Sequence, residues 1–332
     1  MTRRSSPRAE RSATRLAFAG AFAAIYLFWG GTFLAIRYAV MEVPPLLTIA
    51  IRCIGGAVVL YAWLIWRGGL ESTTRKQWLI SGIAGVFLFV GCHGALAWAE
   101  QRVSSGQAAL YLTSISLWLV LLTAFRERRL PRGQVIAGLM LGVAGVAVLV
   151  SGKSTSGSLL DRLILIATGL SWAIGSLIGR EGTRPRSAVQ TTAMQLAAGG
   201  AAVLALSLLS GELAGWSVHQ VTSRSAASLL FLVIAGTVLG FGAYTWLLQV
   251  TTPARVGTYS FVNPVVALAL AWAVGDETFS LRTILAATIV LGSVFLIWKS
   301  SAAKPRLLRP TKSPMALSPS AIGTLSRIRA LL

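Results

Sequence analysis

Ten long apolar runs, separated by short polar connections, constrain this chain more than any other feature. They occupy residues 16–38, 44–66, 77–99, 105–125, 134–151, 159–179, 187–209, 226–249, 254–274 and 281–298. Each is close to the roughly 20 apolar residues that a helix needs to cross a bilayer. In hydrocarbon, backbone polar groups must be satisfied inside the protein, which leaves helices or a closed barrel. The runs are continuous and do not alternate with period two, so they exclude an outer-membrane barrel. The expected fold is an all-α polytopic membrane protein with ten transmembrane helices. Composition agrees, since apolar residues make up 55% of the 332 and charged residues only 12%, too few for a soluble surface of this size.

A net charge of +20 raises the question of nucleic acid, but the placement of the charge argues for a membrane. With the N-terminus inside, 23 of the 30 Lys and Arg fall in inner segments, six fall in outer loops, and Arg52 lies within a span. This is the positive-inside asymmetry. It places both termini in the cytoplasm of a bacterial-type inner membrane. The basic tails, 1–15 and 299–332, then lie near an anionic leaflet, and 321–332 can form a short amphipathic helix. No aromatic–basic interleaving accompanies the charge, so no nucleic-acid partner is expected. The first run is too long for a signal-peptide core and is read as an uncleaved helix. Cys53 and Cys92 fall inside spans and read as small buried hydrophobes.

The chain is internally duplicated. Residues 253–298 and 105–150 each read as an apolar run, an acidic turn and a second apolar run with an embedded glycine. Glu127 and Glu277 are 150 positions apart, as are Gly142 and Gly292. An offset of 143 relates Trp29 to Trp172 and Arg52 to Gln195, and an offset of 151 relates Gly85 and Gly91 to Gly236 and Gly242. The unit is five helices, giving repeats over 16–151 and 159–298. Five is odd, so the halves are inverted relative to one another. Inverted repeats are a signature of alternating-access transporters, with the site near the midplane.

Ordered along the chain are Phe28-Trp29-Gly30, Arg52, Trp98-Ala99-Glu100-Gln101 and Val103-Ser104-Ser105-Gly106. The second half adds Gly242-Ala243-Tyr244, Pro253-Ala254, Asn263-Pro264 and Gly275-Asp276-Glu277. In these residues the chain resembles the EamA family of the drug/metabolite transporter superfamily, over about residues 16–298. The resemblance implies a ten-helix inner-membrane carrier of small metabolites, often an exporter. No cofactor is expected, and no enzyme, since catalysis needs a convergent nucleophile, base or metal set and the spans offer only His93, Glu100 and Arg52. Two positions depart from the family pattern. Ser116 stands where proline is usual, and Arg126 replaces the usual glycine before Glu127.

The residues themselves nominate a site. A charge inside a span is costly unless it faces a cavity or a partner, so Arg52 is either a cavity residue suited to a carboxylate or a structural partner of Glu100 or a helix-end carbonyl. His93 lies at a similar depth, seven residues before Glu100 on the same helix face. Glu100 is the coupling candidate, neutral when desolvated and charged when wet, with protons as the coupling ion; the bland alternative is a charge bathed at the outer mouth. The second histidine, His219, lies in an outer loop, so no metal site is expected. Pro264 breaks a helix hydrogen bond and is the hinge candidate, with Asn263 as its polar neighbour. Trp29, Trp98, Tyr111, Tyr244 and Tyr259 are candidate aromatic walls, with packing as the competing role. Trp66, Trp78 and Trp298 read as interfacial belt residues. Gly138-x-x-x-Gly142 and Gly236-x-x-x-Gly240 read as close packing within the chain. Gly152-Lys153-Ser154 lacks the first glycine of a phosphate loop, so the expected energy source is a gradient. The expected function is secondary-active export of a small metabolite such as an amino acid. An uptake carrier or an amphiphile or lipid flippase stays open, as, more remotely, does an intramembrane enzyme or a membrane sensor.

Overall fold

A computed structural model describes residues 7–103, 108, 111–150, 158–273 and 281–300. The described residues belong to one compact unit, Met1–Ser301, and contain helices and no strands. The segment 321–332 lies outside them. Six helical stretches are long and apolar enough to cross a membrane, and two shorter apolar helices, Gly133–Val148 and Ile284–Lys299, accompany them.

The elements run α1 (Pro7–Val40), α2 (Pro45–Trp66) and α3 (Arg75–Gly85), which continues through a π-helical segment, π1 (Val86–Gly94), into α4 (Ala95–Glu100). Next come α5 (Ser114–Glu127), α6 (Gly133–Val150), α7 (Leu159–Glu181) and α8 (Ala188–Leu209). The chain then forms α9 (Ser223–Phe231), π2 (Leu232–Phe241), α10 (Gly242–Val250), α11 (Pro253–Gly257), α12 (Tyr259–Ala273) and α13 (Leu281–Ser300). Polar residues at the connections fix the helix starts. Thr74 with Gln77, and Ser158 with Asp161, form capping boxes.

Two glutamates brace α2 and α8 against each other. Glu212, which follows α8, accepts the backbone N–H groups of Leu46 and Leu47 at the start of α2, at 3.2 and 2.7 Å. Glu71, which follows α2, accepts those of Arg186 and Ser187 at the start of α8, at 3.0 and 3.1 Å. Each carboxylate satisfies orphan donors at the positive end of a helix dipole. Between these braces α2 and α8 pack along their length. α6 packs on α13, α1 on α12 and π2, and α7 on α5 and π1.

The two π segments were not legible in the apolar pattern, which shows only continuous runs. Where α3 passes into π1 it lies against α8. A methyl group on Gly85 would sit 2.4 Å from the Gln195 carbonyl oxygen, so the two backbones touch directly. Such bulges recur at functional sites.

The described structure revises two local expectations. The interruption in the ninth apolar run falls at Thr258, between α11 and α12, while Pro264 lies inside α12. Thr258 closes the end of α11 by bonding the Arg255 carbonyl with both its backbone N–H and its hydroxyl. Trp298, read as a belt residue, turns inward and packs edge-on against Phe22, with ring centres 4.7 Å apart. Trp66 and Trp78 are exposed, as a belt requires.

Candidate functional site

A cavity of about 60 Å³ lies where α1, α2, π1, α5, α7 and α12 meet. That is room for several waters. Arg52, His93, Trp29, Trp172, Tyr259 and Asn263 line it, together with apolar side chains.

Arg52 projects from α2 and is only 4% exposed. Its Nε donates to the Thr237 hydroxyl on π2 at 3.1 Å. Among the described residues no carboxylate bonds it, so its remaining N–H groups are free to face the cavity that it lines. A buried guanidinium in this condition is a preformed receptor for a planar anion, because its fork of donors matches a carboxylate.

π1 supplies His93. The ring Nδ1 lies 3.0 Å from the Leu88 carbonyl oxygen. A carbonyl only accepts, so Nδ1 carries the proton and Nε2 is left as an acceptor. The imidazole stacks on Phe89 and tilts against Trp172, with ring centres 5.7 and 5.1 Å apart.

α12 supplies Tyr259, Ser260 and Asn263. Pro264 has no N–H to give the carbonyl four residues back, at Ser260, which is also a cavity residue. With its amide nitrogen turned to the acceptors, Asn263 donates to the carbonyls of Tyr259, Ile25 and Tyr26 at 3.0, 3.2 and 3.3 Å. It therefore joins α12 to α1. Close approach is possible because Gly30 lies opposite; a methyl there would come within 2.5 Å of Val266.

The other expected residues sit elsewhere. Tyr244 is fully buried behind the cavity. Its hydroxyl lies 2.9 Å from Trp172 Nε1 and 2.7 Å from the Ser176 hydroxyl. Its ring meets Trp29, with centres 5.1 Å apart. Trp98 is at the surface under the Arg102 guanidinium, 3.6 Å from ring centre to charge. Arg102 in turn pairs with Asp161 at 2.8 Å. Tyr111 packs near Leu96 and Ala99, outside the cavity lining. The Glu100 side chain lies outside the described part of the structure. Cys53 and Cys92 are buried free thiols.

Several contributors escaped the sequence reading. Thr237 holds Arg52, Trp172 forms a cavity wall, and Ser260 and Thr32 add polar lining. Trp172 was recoverable, because the offset of 143 seen in the sequence pairs it with Trp29. Ser116, which replaces a family proline, bonds the Gly257 carbonyl and the Ser260 hydroxyl, at 2.5 and 2.8 Å. It thus supports the break at Thr258.

Apolar helices long enough to cross a bilayer, packed around a cavity that bears a buried cation, define a helical membrane protein with an internal cavity. The EamA-like transporter family matches residues 17–151 and 162–299, and the chain belongs to that family. It is 30% identical to YedA, an uncharacterized inner membrane transporter of Escherichia coli, across 84% of this chain and 89% of that one. It is 26% identical to a Salmonella typhimurium protein named a probable amino-acid metabolite efflux pump, across 82% of this chain and 91% of that one. A protein of known crystal structure is 25% identical and superposes with a TM-score of 0.71, covering 86% of this chain and 98% of that one.

Proposed function

We propose that this transporter is a secondary-active carrier that exports a small metabolite bearing a carboxylate, such as an amino acid, by alternating access. The observation that carries the reading is Arg52, buried, lining the cavity and bonded only to a neutral hydroxyl among its described partners. The carboxylate binds the Arg52 fork. Aromatic faces of Trp29, Trp172 and Tyr259 and the acceptor at His93 Nε2 suit an ammonium group beside it. The name of the Salmonella relative supports an amino-acid-like cargo and outward movement.

The architecture in this reading is ten spans in two inverted five-helix repeats, over 16–151 and 159–298, between basic cytoplasmic tails. The packing supports it. Exchanging each helix for its repeat partner turns α1 on α12 into α7 on α5, and α1 on π2 into α7 on π1, while α2 with α8 and α6 with α13 map onto themselves. The two family matches, 17–151 and 162–299, fall on the same halves. The cavity lies nearer the helix ends that the charge bias places outside, since Arg52 is the eighth residue of α2 and Ile36 is four short of the end of α1. A gradient drives the cycle, with protons as the coupling ion, Glu100 as the coupling carboxylate and Pro264 as a hinge.

The test is counterflow in proteoliposomes with radiolabelled L-amino acids. A charge-assisted hydrogen bond contributes about 1.5–3 kcal/mol, so Arg52→Gln should weaken binding by roughly 10- to 150-fold. Counterflow in the parent, lost in Arg52→Gln and partly kept in Arg52→Lys, is the expected result. Equal flux in all three removes Arg52 from the site. Glu100→Gln should keep exchange while losing proton-driven accumulation.

A further inference from the structure

A second pocket lies across the aromatic layer from the first. Ser176, Gly179, Arg180, Gln195, Tyr244 and Leu248 line it, and it measures about 10 Å³, the space of a single water. The offsets that relate the two halves map one pocket onto the other. An offset of 143 carries Phe33 to Ser176, Ile36 to Gly179 and Arg52 to Gln195, and an offset of 151 carries His93 to Tyr244. Every first member of these pairs lines the Arg52 cavity, and every second member lines the smaller pocket.

The smaller pocket is equipped for a ligand. Gln195 is 3% exposed, and its amide has no hydrogen-bond partner among the described residues. Gly179 makes room for that amide, since a methyl there would meet Gln195 Nε2 at 2.3 Å. Arg180 donates through Nε to the Leu248 carbonyl at 2.8 Å and lines the same pocket. An amide and a guanidinium together suit a carboxylate. The Gln195 amide makes no hydrogen bond to a described residue and is left for a ligand or a water in the pocket.

The wall between the two pockets is a closed hydrogen-bond relay. The Ser176 hydroxyl donates to the Trp172 carbonyl at 2.6 Å, so its oxygen accepts from the Tyr244 hydroxyl. Tyr244 oxygen in turn accepts from Trp172 Nε1. Displacing Tyr244 breaks two of these bonds together. Arg52 and Gln195 ride on α2 and α8, the pair braced at both ends by Glu212 and Glu71.

We propose that the Gln195–Arg180 pocket is a second carboxylate-binding station for the transported metabolite, joined to the Arg52 cavity when Tyr244 parts from Trp172 and Ser176. The proposal rests on the reading of the Arg52 cavity as the carrier's ligand site.

Two measurements test it. Thr245 lines the second pocket, and a Thr245→Cys variant in inside-out vesicles is exposed to a membrane-impermeant maleimide, with the parent as the background for buried Cys53 and Cys92. Labelling above the parent, at least threefold faster when Tyr244→Phe is added and slowed by a mixture of all L-amino acids, is expected. No labelling in either form, or labelling that the mixture leaves unchanged, overturns the station. Independently, Gln195→Glu, which keeps the side-chain volume but repels a carboxylate, should cut counterflow of the same radiolabelled mixture at least tenfold. If Arg52→Gln abolishes counterflow while Gln195→Glu stays within twofold of the parent, the second station is wrong and the first stands. If the parent moves none of the mixture and the cysteine is unprotected, both readings fall together.

Discussion

Replacing Gly85 by alanine should destabilise this protein, whereas replacing Gly82, one turn earlier on the same helix, should not. A methyl group on Gly85 would sit 2.4 Å from the Gln195 carbonyl oxygen and 3.0 Å from the Gly199 nitrogen. Both obstacles are backbone atoms of α8, which cannot rotate aside as a side chain can. A carbon and an oxygen in contact normally sit a little over 3 Å apart, so α3 and α8 must separate by somewhat under 1 Å. Overpacking of this kind costs about 1–3 kcal/mol. On Gly82 the nearest atom would be the Ala198 methyl at 3.8 Å, an ordinary contact. Both substitutions gain the same helix propensity, about 1 kcal/mol, which cancels between them. At roughly 2–4 °C per kcal/mol, Gly85→Ala should melt about 2–12 °C below Gly82→Ala. The assay is tryptophan fluorescence in detergent at one fixed scan rate, because unfolding of such proteins is commonly irreversible. Gly85→Ala should also lose counterflow while still folded, since the displaced segment carries His93. If the two variants melt together, α3 and α8 do not meet backbone to backbone and the argument fails.

Tyr244→Phe leaves the Trp172 N–H buried without its acceptor, at a cost of about 1–3 kcal/mol, and should lower the melting temperature more than Trp98→Phe at the surface; the reverse order would refute the relay. Glu212→Ala and Glu71→Ala should each cost about 0.5–2 kcal/mol as lost helix caps. Their melting shifts should add in the double variant, because the two braces lie at opposite ends of α2 and α8; strong non-additivity would mean that the braces act as one unit. Glu42 accepts the Thr222 N–H at 2.8 Å and the Thr222 hydroxyl, and these bonds hold its pKa below the usual value near 4.5. The folded state therefore releases this proton more readily than the unfolded chain. The resulting stability is complete above the unfolded value and is lost as pH falls through the folded one. Melting curves at pH 7 and pH 4 should show a smaller acid-induced drop in Glu42→Gln than in the parent, and equal drops would exclude Glu42 from the acid response.

Much of the helix content was legible because bilayer thickness imposes a length on each apolar run, and that length survives in the sequence regardless of packing. Arg52 was legible for the same reason, since a charge in such a run is conspicuous. The π segments were not, because an α-helix and a π-helix of apolar residues share one composition. The first of them begins where Gly85 meets the backbone of α8, a contact that no local pattern records. The break at Thr258 was hidden behind Pro264, a stronger local breaker. A proline near the start of a helix loses only the bond to Ser260, and that carbonyl lines a cavity. Trp98 and Tyr111 looked like walls because an aromatic residue gives no sign of which way it points. Trp98 instead covers Arg102, and Tyr111 fills a side cluster.

Under the proposed duplication, related positions carry different chemistry. α2 carries a permanent cation and α8 a neutral amide at the related site, yet both project from helices braced by reciprocal carboxylates. A carboxylate bound equally well at both stations would shift no equilibrium between them. Both pockets hold a guanidinium whose Nε is engaged, Arg52 with the Thr237 hydroxyl and Arg180 with the Leu248 carbonyl. They differ in burial, since Arg52 is 4% exposed whereas Arg180 is only partly buried. A charge pair is stronger where less water screens it, so under the proposed reading the Arg52 station is the tighter one. That inequality sets where cargo rests longest; the gradients across the membrane set the direction of net movement.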